Sequence, residues 1–504
     1  MTHDDQLDGL GDVADVVERA RRAAPGFTNV GREPRARLLE TMAGHLEGAR
    51  ADLVTTAAAE TALDPDVLDA EVTRTADQLR MFAGVVREGS YLEATVDTAP
   101  GGDVMRWLRP LGPVAVFGAS NFPFAYGVAG GDTASALAAG CPVVAKEHPS
   151  HPRICRAVLS ALRAAAAAAG VSPDVIGMVS GFEAGAQLVT HPDITAVGFT
   201  GSVGGGRALF DLCAARPLPI PFYGELGSVN PAVVLPHAAR SPERVIEPLV
   251  TSMLARGGQV CTKAGLVFLP DDAEDLADRL RQRMLDAPRP VLLNPSITAA
   301  YAAGTARRAA LDGVEVLSGD AAATGDAAAT GAGDRSPVSP VLLATTVVSL
   351  LDDANADLRD ECFGPYAVLV RYRSVAELRT ALAALPSSLV AGVYATDGDL
   401  PDARDVLPVL VDRAGRVVWN QPTSGLRVGW ATHHGGGYPA STASGTTSVG
   451  ATAIRRWLRP SALQGWPAAL LPAELRDAAG GDDRGLPVRR NGRLNGPLTA
   501  REVS

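Results

Sequence analysis

Pro113-Val-Ala-Val-Phe117, Gly131-Asp-Thr-Ala-Ser-Ala-Leu-Ala-Ala139 and Pro142-Val-Val-Ala-Lys146 follow one another as a short apolar run, a stretch of small residues suited to a helix, and a second apolar run. Strand, helix and strand in that order make a βαβ unit. The pattern continues. Ser160 to Ala169 reads as a helix, Val175-Ile-Gly-Met-Val179 and Ala196-Val-Gly-Phe199 as strands, and Gly204 to Ala214 as a helix. Repeated βα units predict an α/β fold with a parallel sheet whose ligands gather at the carboxyl ends of the strands, where Lys146 and Thr200 to Ser202 fall.

A second α/β region follows. Ala232-Val-Val-Leu235, Leu266-Val-Phe-Leu269, Ala367 to Arg371, Val390 to Ala395 and Arg416 to Trp419 read as strands. Pro242 to Leu254, Asp272 to Leu285, Ala299 to Ala310, Ser374 to Leu385 and Asp402 to Leu407 read as helices. Upstream, the first hundred residues are alanine-rich with helical periodicity, and Tyr91 to Leu108, broken by Pro100-Gly101-Gly102, reads as a hairpin. Gly9-Leu-Gly-Asp-Val-Ala14 imitates a dinucleotide fingerprint but no strand precedes it, so it is set aside. Residues 319–335 are low in complexity and nearly self-repeating, as expected of a surface insertion.

At 504 residues the chain calls for two or three domains. Its formal net charge of −10 argues against a nucleic-acid or anionic-membrane surface and toward a small-molecule substrate. Five cysteines without regular spacing fit neither a disulfide framework nor a metal site, and predict a reducing compartment. Met1-Thr-His-Asp-Asp is acidic rather than a basic leader, and no apolar run reaches the roughly 18 residues of a membrane span, so the expected location is cytoplasmic. Lysine is nearly absent. Lys146 and Lys263 are the only two, and each invites a chemical explanation.

The chemistry centres on Leu254-Ala-Arg-Gly-Gly-Gln-Val-Cys-Thr-Lys263, where Gly257 and Gly258 imply tight backbone beside a potential nucleophile, Cys261. An unpaired cysteine is otherwise an inert core residue. In Phe222-Tyr-Gly-Glu-Leu-Gly-Ser-Val-Asn-Pro231, Glu225 stands among small and apolar neighbours; lost hydration is expected to raise its pKa and make it a base for water or thiol. As a bland alternative it is a solvated loop acid. Asn121 leaves the strand ending at Phe117 on a turn, with an amide suited to a developing oxyanion; alone it is a turn former.

Ser120-Asn121-Phe122-Pro123, Phe199-Thr200-Gly201-Ser202, Glu225-Leu226-Gly227, Gly258-Gln259-Val260-Cys261 and Glu361-Cys362-Phe363-Gly364-Pro365 occur in the order found in the aldehyde dehydrogenase superfamily, which this chain resembles from about residue 20 to residue 465. Ile220 to Glu225, His433-His434-Gly-Gly-Gly-Tyr-Pro-Ala-Ser-Thr442, Thr447 to Gly450, Ile454 to Pro460 and Asn491-Gly492 are similar to its NADP-linked branch containing 2,5-dioxovalerate (α-ketoglutaric semialdehyde) dehydrogenases. The resemblance implies two Rossmann-like parallel α/β domains with a protruding β hairpin for oligomerisation. Residues 1–90 and 110–224 would form the cofactor-binding domain, 225–430 the catalytic domain, 91–109 and 451–466 the oligomerisation strands of a homodimer or homotetramer, and 467–504 a C-terminal tail.

It also implies roles. Cys261 would form a thioester, Glu225 would activate water and Asn121 would hold the oxyanion. Lys146, Thr200, Gly201, Ser202, Gly206, Glu361 and Phe363 would bind the cofactor, with the phosphates at the helix opened by the Gly201 to Gly206 turn. Many NAD-preferring relatives carry a glutamate three residues after the lysine, whereas this chain has Pro149, so NADP is expected in preference to NAD; Glu147 could compensate only if the loop turns. Phe124, Thr423, Ser424 and Arg427 are the expected substrate contacts, with Trp419 to Gly425 lining the entrance. Relatives acting on the dioxo acid tend to have an arginine near Gly445, and Arg427 could replace it as the carboxylate's partner. The His433-His434 pair points to opposite sides of an extended chain with no further ligand evident, so no metal is assigned.

The expected reaction is oxidation of 2,5-dioxovalerate to 2-oxoglutarate. The alternatives are a broad-specificity NADP-dependent aliphatic aldehyde dehydrogenase, a CoA-acylating relative, disfavoured by Glu225, and an inactive binding or structural protein on the same fold.

Overall fold

The structure is a computed structural model that describes residues 9–100, 102–319, 336–472, 474–476 and 486–495, so the 319–335 insertion lies outside it apart from Gly319. The N-terminal region folds as four helices: α1 (Val13–Thr28), α2 (Arg32–Gly48), α3 (Arg50–Thr61) and α4 (Pro65–Glu88). In α4, Asp64 caps the first turn through the Asp66 N–H, Pro65 enters without needing a donor, and Gly89 at φ 85° ends the helix. Leu68, Val72, Leu79, Phe82 and Val86 are the buried stripe of α4.

These helices pack on a six-stranded, fully parallel sheet ordered Leu10–Gly11, Ile176–Val179, Val143–Lys146, Val114–Phe117, Ala196–Thr200, Phe222–Glu225. Val114–Phe117 lies at the point where the winding reverses, with Val143–Lys146 on one side and Ala196–Thr200 on the other. The loop carrying Asn121 and the turn at Thr200 therefore leave adjacent strands at the crevice where a doubly wound sheet binds its ligand. The imitation fingerprint at Gly9 to Ala14 is the edge strand and the start of α1.

A seven-stranded sheet forms the second half, ordered Glu315–Ser318, Val341–Thr346, Tyr366–Tyr372, Leu266–Pro270, Pro231–Val234, Ala391–Tyr394, Val417–Trp419; only its outermost pair is antiparallel. Two apolar layers cover its faces, one built on Val233, Phe268 and Val368, the other on Val234, Val267 and Leu369, as alternate residues of the same strands dictate. Phe222–Glu225 closes the first sheet and Pro231–Val234 opens the second, so Glu225 stands at the junction.

The hairpin appears as Thr95–Asp97 paired with Val104–Pro110, and Leu458–Gln464 joins the latter antiparallel. The tail departs from the sequence reading. Val488–Arg490 runs parallel to Thr95–Asp97 and pairs with Arg493–Asn495, while Leu471, Leu475, Leu486 and Val488 are buried in the first core. The helix expected from Ser160 begins at Pro152, because the Glu60 carboxylate of α3 accepts the Arg153 and Ile154 N–H groups from outside the segment. That expected over Asp402 to Leu407 spans Leu400–Arg413. Among the described residues no helix is long and apolar enough to cross a membrane.

Candidate active site

Cys261 sits on a loop bent by three successive left-handed residues, Arg256, Gly257 and Gly258, with φ between 51° and 70°. A side chain at Gly258 would meet the Gly364 carbonyl at 2.1 Å, and the Gly364 N–H donates to Gly258 O, so this glycine lets the Glu361 to Pro365 stretch lie against the Cys261 loop. From the other side the buried Asn230 amide donates to the carbonyls of Cys261 (2.7 Å) and Lys263 (3.0 Å). Asn121, also buried, donates from Nδ2 to Gln259 O at 2.9 Å; its second N–H has no partner among the described residues.

A cleft of about 340 Å³ opens over the sulfur, walled by Phe122, Tyr126, Ser424, Leu426, Arg74 and Arg256. Several substrate expectations need correction here. Phe124 points into the first core at 1 % exposure, its N–H bound by Glu71; Phe122 and Tyr126 take the wall position. Thr423 is fully buried with its N–H on Ser252 Oγ, and from the Trp419 to Gly425 stretch only Ser424 and Gly425 reach the cleft. Arg427 is exposed and off the cleft wall, its carbonyl bound by Thr432. Gly445 is likewise exposed and outside the lining.

His434, only 2 % exposed, completes the centre: its Nε2 lies 2.9 Å from Glu225 Oε1 and 3.6 Å from Cys261 Sγ. The Thr447 hydroxyl accepts the His434 N–H at 2.8 Å, which fixes the residue. Three ligand-type atoms, from Glu225, Cys261 and His434, thus lie within 4.8 Å of one another, which corrects the reading that no further ligand accompanies the histidine pair. Among the described residues His434 Nδ1 is buried without a partner, and the ring meets the Glu225 carboxylate, an acceptor, through an N–H on Nε2.

Glu225 also departs from expectation. Burial pushes its pKa up, but the His434 ring, the Ser448 hydroxyl and the Cys261 thiol outweigh that and hold the carboxyl below its ordinary range. Burial and then the Glu225 charge drive the Cys261 thiol well above its ordinary value. The resting pair is thus thiol and carboxylate, with the proton on sulfur and an acceptor beside it.

The cofactor candidates lie on the carboxyl edge of the first sheet. Ser202 caps the helix Val203–Ala214 by accepting the Gly205 N–H, and a side chain at Gly206 would collide with Leu226 at 2.2 Å. Lys146 is half-buried at its strand end, its pKa lowered by burial, and Nζ makes no hydrogen bond or ion pair among the described residues. Glu147 is not available to compensate for Pro149, because it is buried against Arg156 (2.7 Å) and the Ser180 hydroxyl. Burial raises the Glu361 carboxyl to about 7 against the opposing Lys263 charge, and its oxygen would lie 2.3 Å from a side chain at Gly227. Phe363 is partly exposed beside it. Lys263 is buried, its Nζ donating to Tyr366 O at 2.8 Å.

A thiol at the floor of a cleft, with a buried carboxylate and an amide beside it, sits at the ligand edge of paired Rossmann-like sheets, and a family model described as the Aldehyde dehydrogenase family matches residues 6–461. The chain belongs to the aldehyde dehydrogenase family. It is 39 % identical over 93 % of its length to alpha-ketoglutaric semialdehyde dehydrogenase 2 of Azospirillum brasilense, 89 % of which is covered. It is 36 % identical over 97 % of its length to the alpha-ketoglutaric semialdehyde dehydrogenase of Acinetobacter baylyi, 92 % of which is covered. Its fold is similar to the crystal structure of an E. coli NADP dependent enzyme, with a TM-score of 0.75 at 23 % identity, covering 90 % of this chain and 89 % of that one. The protein is an oxidoreductase acting on aldehydes with NAD(P).

Proposed function

We propose that this chain oxidises 2,5-dioxovalerate to 2-oxoglutarate through a thioester on Cys261, with NADP preferred over NAD. The observation that carries the reading is the contact of Cys261 and Glu225 with His434 at the floor of the cleft. The substrate is supported by the names of the two relatives at 39 % and 36 % identity.

Glu225, ionised in the resting site, accepts the thiol proton as sulfur adds to the aldehyde carbon. The free N–H of Asn121 and the backbone N–H of Cys261 donate to the oxyanion. A bound nicotinamide supplies the hydride acceptor. The Lys146 ammonium, which makes no hydrogen bond or ion pair among the described residues, Thr200, Gly201, the Ser202-capped helix start, Gly206, Glu361 and Phe363 fit such a group and would hold it. Once that first proton has passed to solvent, Glu225 takes a proton from water, the hydroxide adds to the thioester carbon and expels the thiolate to give the acid, and the proton on Glu225 returns to sulfur. His434 holds Glu225 in position.

Residues 1–90 and 110–224 serve as the cofactor-binding domain and 225–430 as the catalytic domain. Oligomerisation to a cytoplasmic homodimer or homotetramer through 91–109 and 451–466 is supported by Leu458–Gln464, the outer strand of its sheet among the described residues, whose backbone edge offers pairing groups to a second copy. The test is a steady-state screen of 2,5-dioxovalerate, succinic semialdehyde and neutral aliphatic aldehydes with both cofactors. The highest kcat/KM is expected for 2,5-dioxovalerate with NADP, and a higher value for neutral aldehydes would replace this reading with the broad-specificity one.

A further inference from the structure

Two arginines wall the cleft, and they differ in what neutralises them. Arg256 lies 2.8 Å from the buried Glu71 carboxylate, donates to Asn121 O at 2.8 Å and stacks 3.9 Å from the Phe122 ring centre. Its charge is matched and its place is structural. Arg74, one turn further along α4 from Glu71, has no carboxylate partner among the described residues. Among those residues its one hydrogen bond runs from a terminal nitrogen to Tyr126 Oη at 3.3 Å, and its buried Nε has no partner. Its guanidinium stands 5.6 and 5.5 Å from the ring centres of Phe122 and Tyr126, which confine it beside the cleft.

A partly buried cation between aromatic rings loses hydration and needs an anion in return. Glu71 is already held by Arg256 and by the N–H groups of Phe124 and Ala125. Tyr126 stays a neutral phenol, because burial drives its ionisation far above the usual range. Its oxygen accepts the Arg74 N–H, which leaves its own hydrogen to donate into the same space. The Arg427 that the sequence offered for a carboxylate is outside the cleft.

We infer that Arg74, with the Tyr126 hydroxyl beside it, receives the carboxylate of the substrate, so that the cleft selects aldehydes ending in a carboxylate over neutral aldehydes of the same length. This deepens the function proposed above and rests on it. The guanidinium offers a planar fork for the carboxylate while the other end of the substrate reaches Cys261.

A competing role is that Arg74 serves only to stabilise the thiolate, since its positive charge favours ionisation of Cys261. The two are separable by measuring kcat/KM for 2,5-dioxovalerate and for pentanal in the wild type, Arg74→Met and Arg74→Lys, with thermal unfolding of each to verify folding. The acid-over-neutral ratio is expected to fall about 30-fold in Arg74→Met, chiefly through KM for the acid, and to take an intermediate value in Arg74→Lys, which keeps charge but not the fork. Glutarate, an unreactive mimic, is expected to inhibit the Met variant about tenfold more weakly. An equal loss on both aldehydes, or unchanged glutarate inhibition, overturns the assignment in favour of the thiolate role. A wild-type preference for the acid that survives in both variants sinks the assignment of Arg74 alone, whereas no preference in the wild type sinks the functional reading and this inference with it.

Discussion

At Cys261 a sulfur and a carboxylate compete for one proton, and the surroundings decide in favour of sulfur. Glu225 accepts from His434 and Ser448, so it is stabilised as an anion; the same anion, added to burial, disfavours the thiolate. Replacing Cys261 by Ala is expected to abolish aldehyde-dependent cofactor reduction, and near-normal rates in that variant would exclude it as the nucleophile. Replacing Glu225 by Gln removes the charge facing the sulfur, so the midpoint of iodoacetamide alkylation against pH is expected to move to lower pH; an unmoved midpoint would show that the pair does not interact. His434→Ala strips the buried carboxylate of its main counterpart, so that burial raises its pKa. The acid limb of the kcat/KM profile is then expected to shift to higher pH, and a profile identical to wild type would remove His434 from the site.

The elements were mostly legible because buried parallel strands are uninterrupted apolar runs, and α/β helices are bounded by capping residues and glycine. Gly131–Ala139 and Pro242–Leu254 lie where periodicity and punctuation put them. What escaped depends on partners far along the chain. Val488–Arg490 is three residues long and has a sheet to join only because Thr95–Asp97 presents an edge. The loops of Cys261 and Glu225 are readable from glycine flanking, but Arg74, Glu71 and Asn230 carry no local signal, since their meaning comes from the loop folded against them. His434 had one: in an extended pair one ring must face inward, and the Gly435 to Gly437 run allows close approach. The sequence reading puts both Thr423 and Ser424 at the cleft, although neighbours in extended chain face opposite ways. Leu475, from the segment expected to be a tail, is fully buried in the first core. Leu475→Ala is expected to cost about 2–5 kcal/mol in denaturant unfolding, and a change under half a kcal/mol would detach the segment from the core.

For the molecule as a whole, a formal net charge of −10 gives anionic ligands no general attraction, so phosphate affinity has to be built locally. On the proposed reading the carboxyl edge of the first sheet supplies it through the Ser202-capped helix start and Lys146, whose ammonium makes no hydrogen bond or ion pair among the described residues. Pro149 is exposed and carries no carboxylate, and Glu147 turns inward to Arg156 and Ser180, so no negative side chain from this turn faces an added 2′-phosphate. The NADP to NAD ratio of kcat/KM is therefore expected to exceed one. If Lys146 pairs with the 2′-phosphate, Lys146→Met should lower kcat/KM with NADP about tenfold more than with NAD, since a charge-assisted contact is lost in one case and a contact to ribose hydroxyls in the other. Equal losses with both cofactors would confine Lys146 to the ribose, and a wild-type preference for NAD would mean that the discriminating charge lies on residues other than this turn.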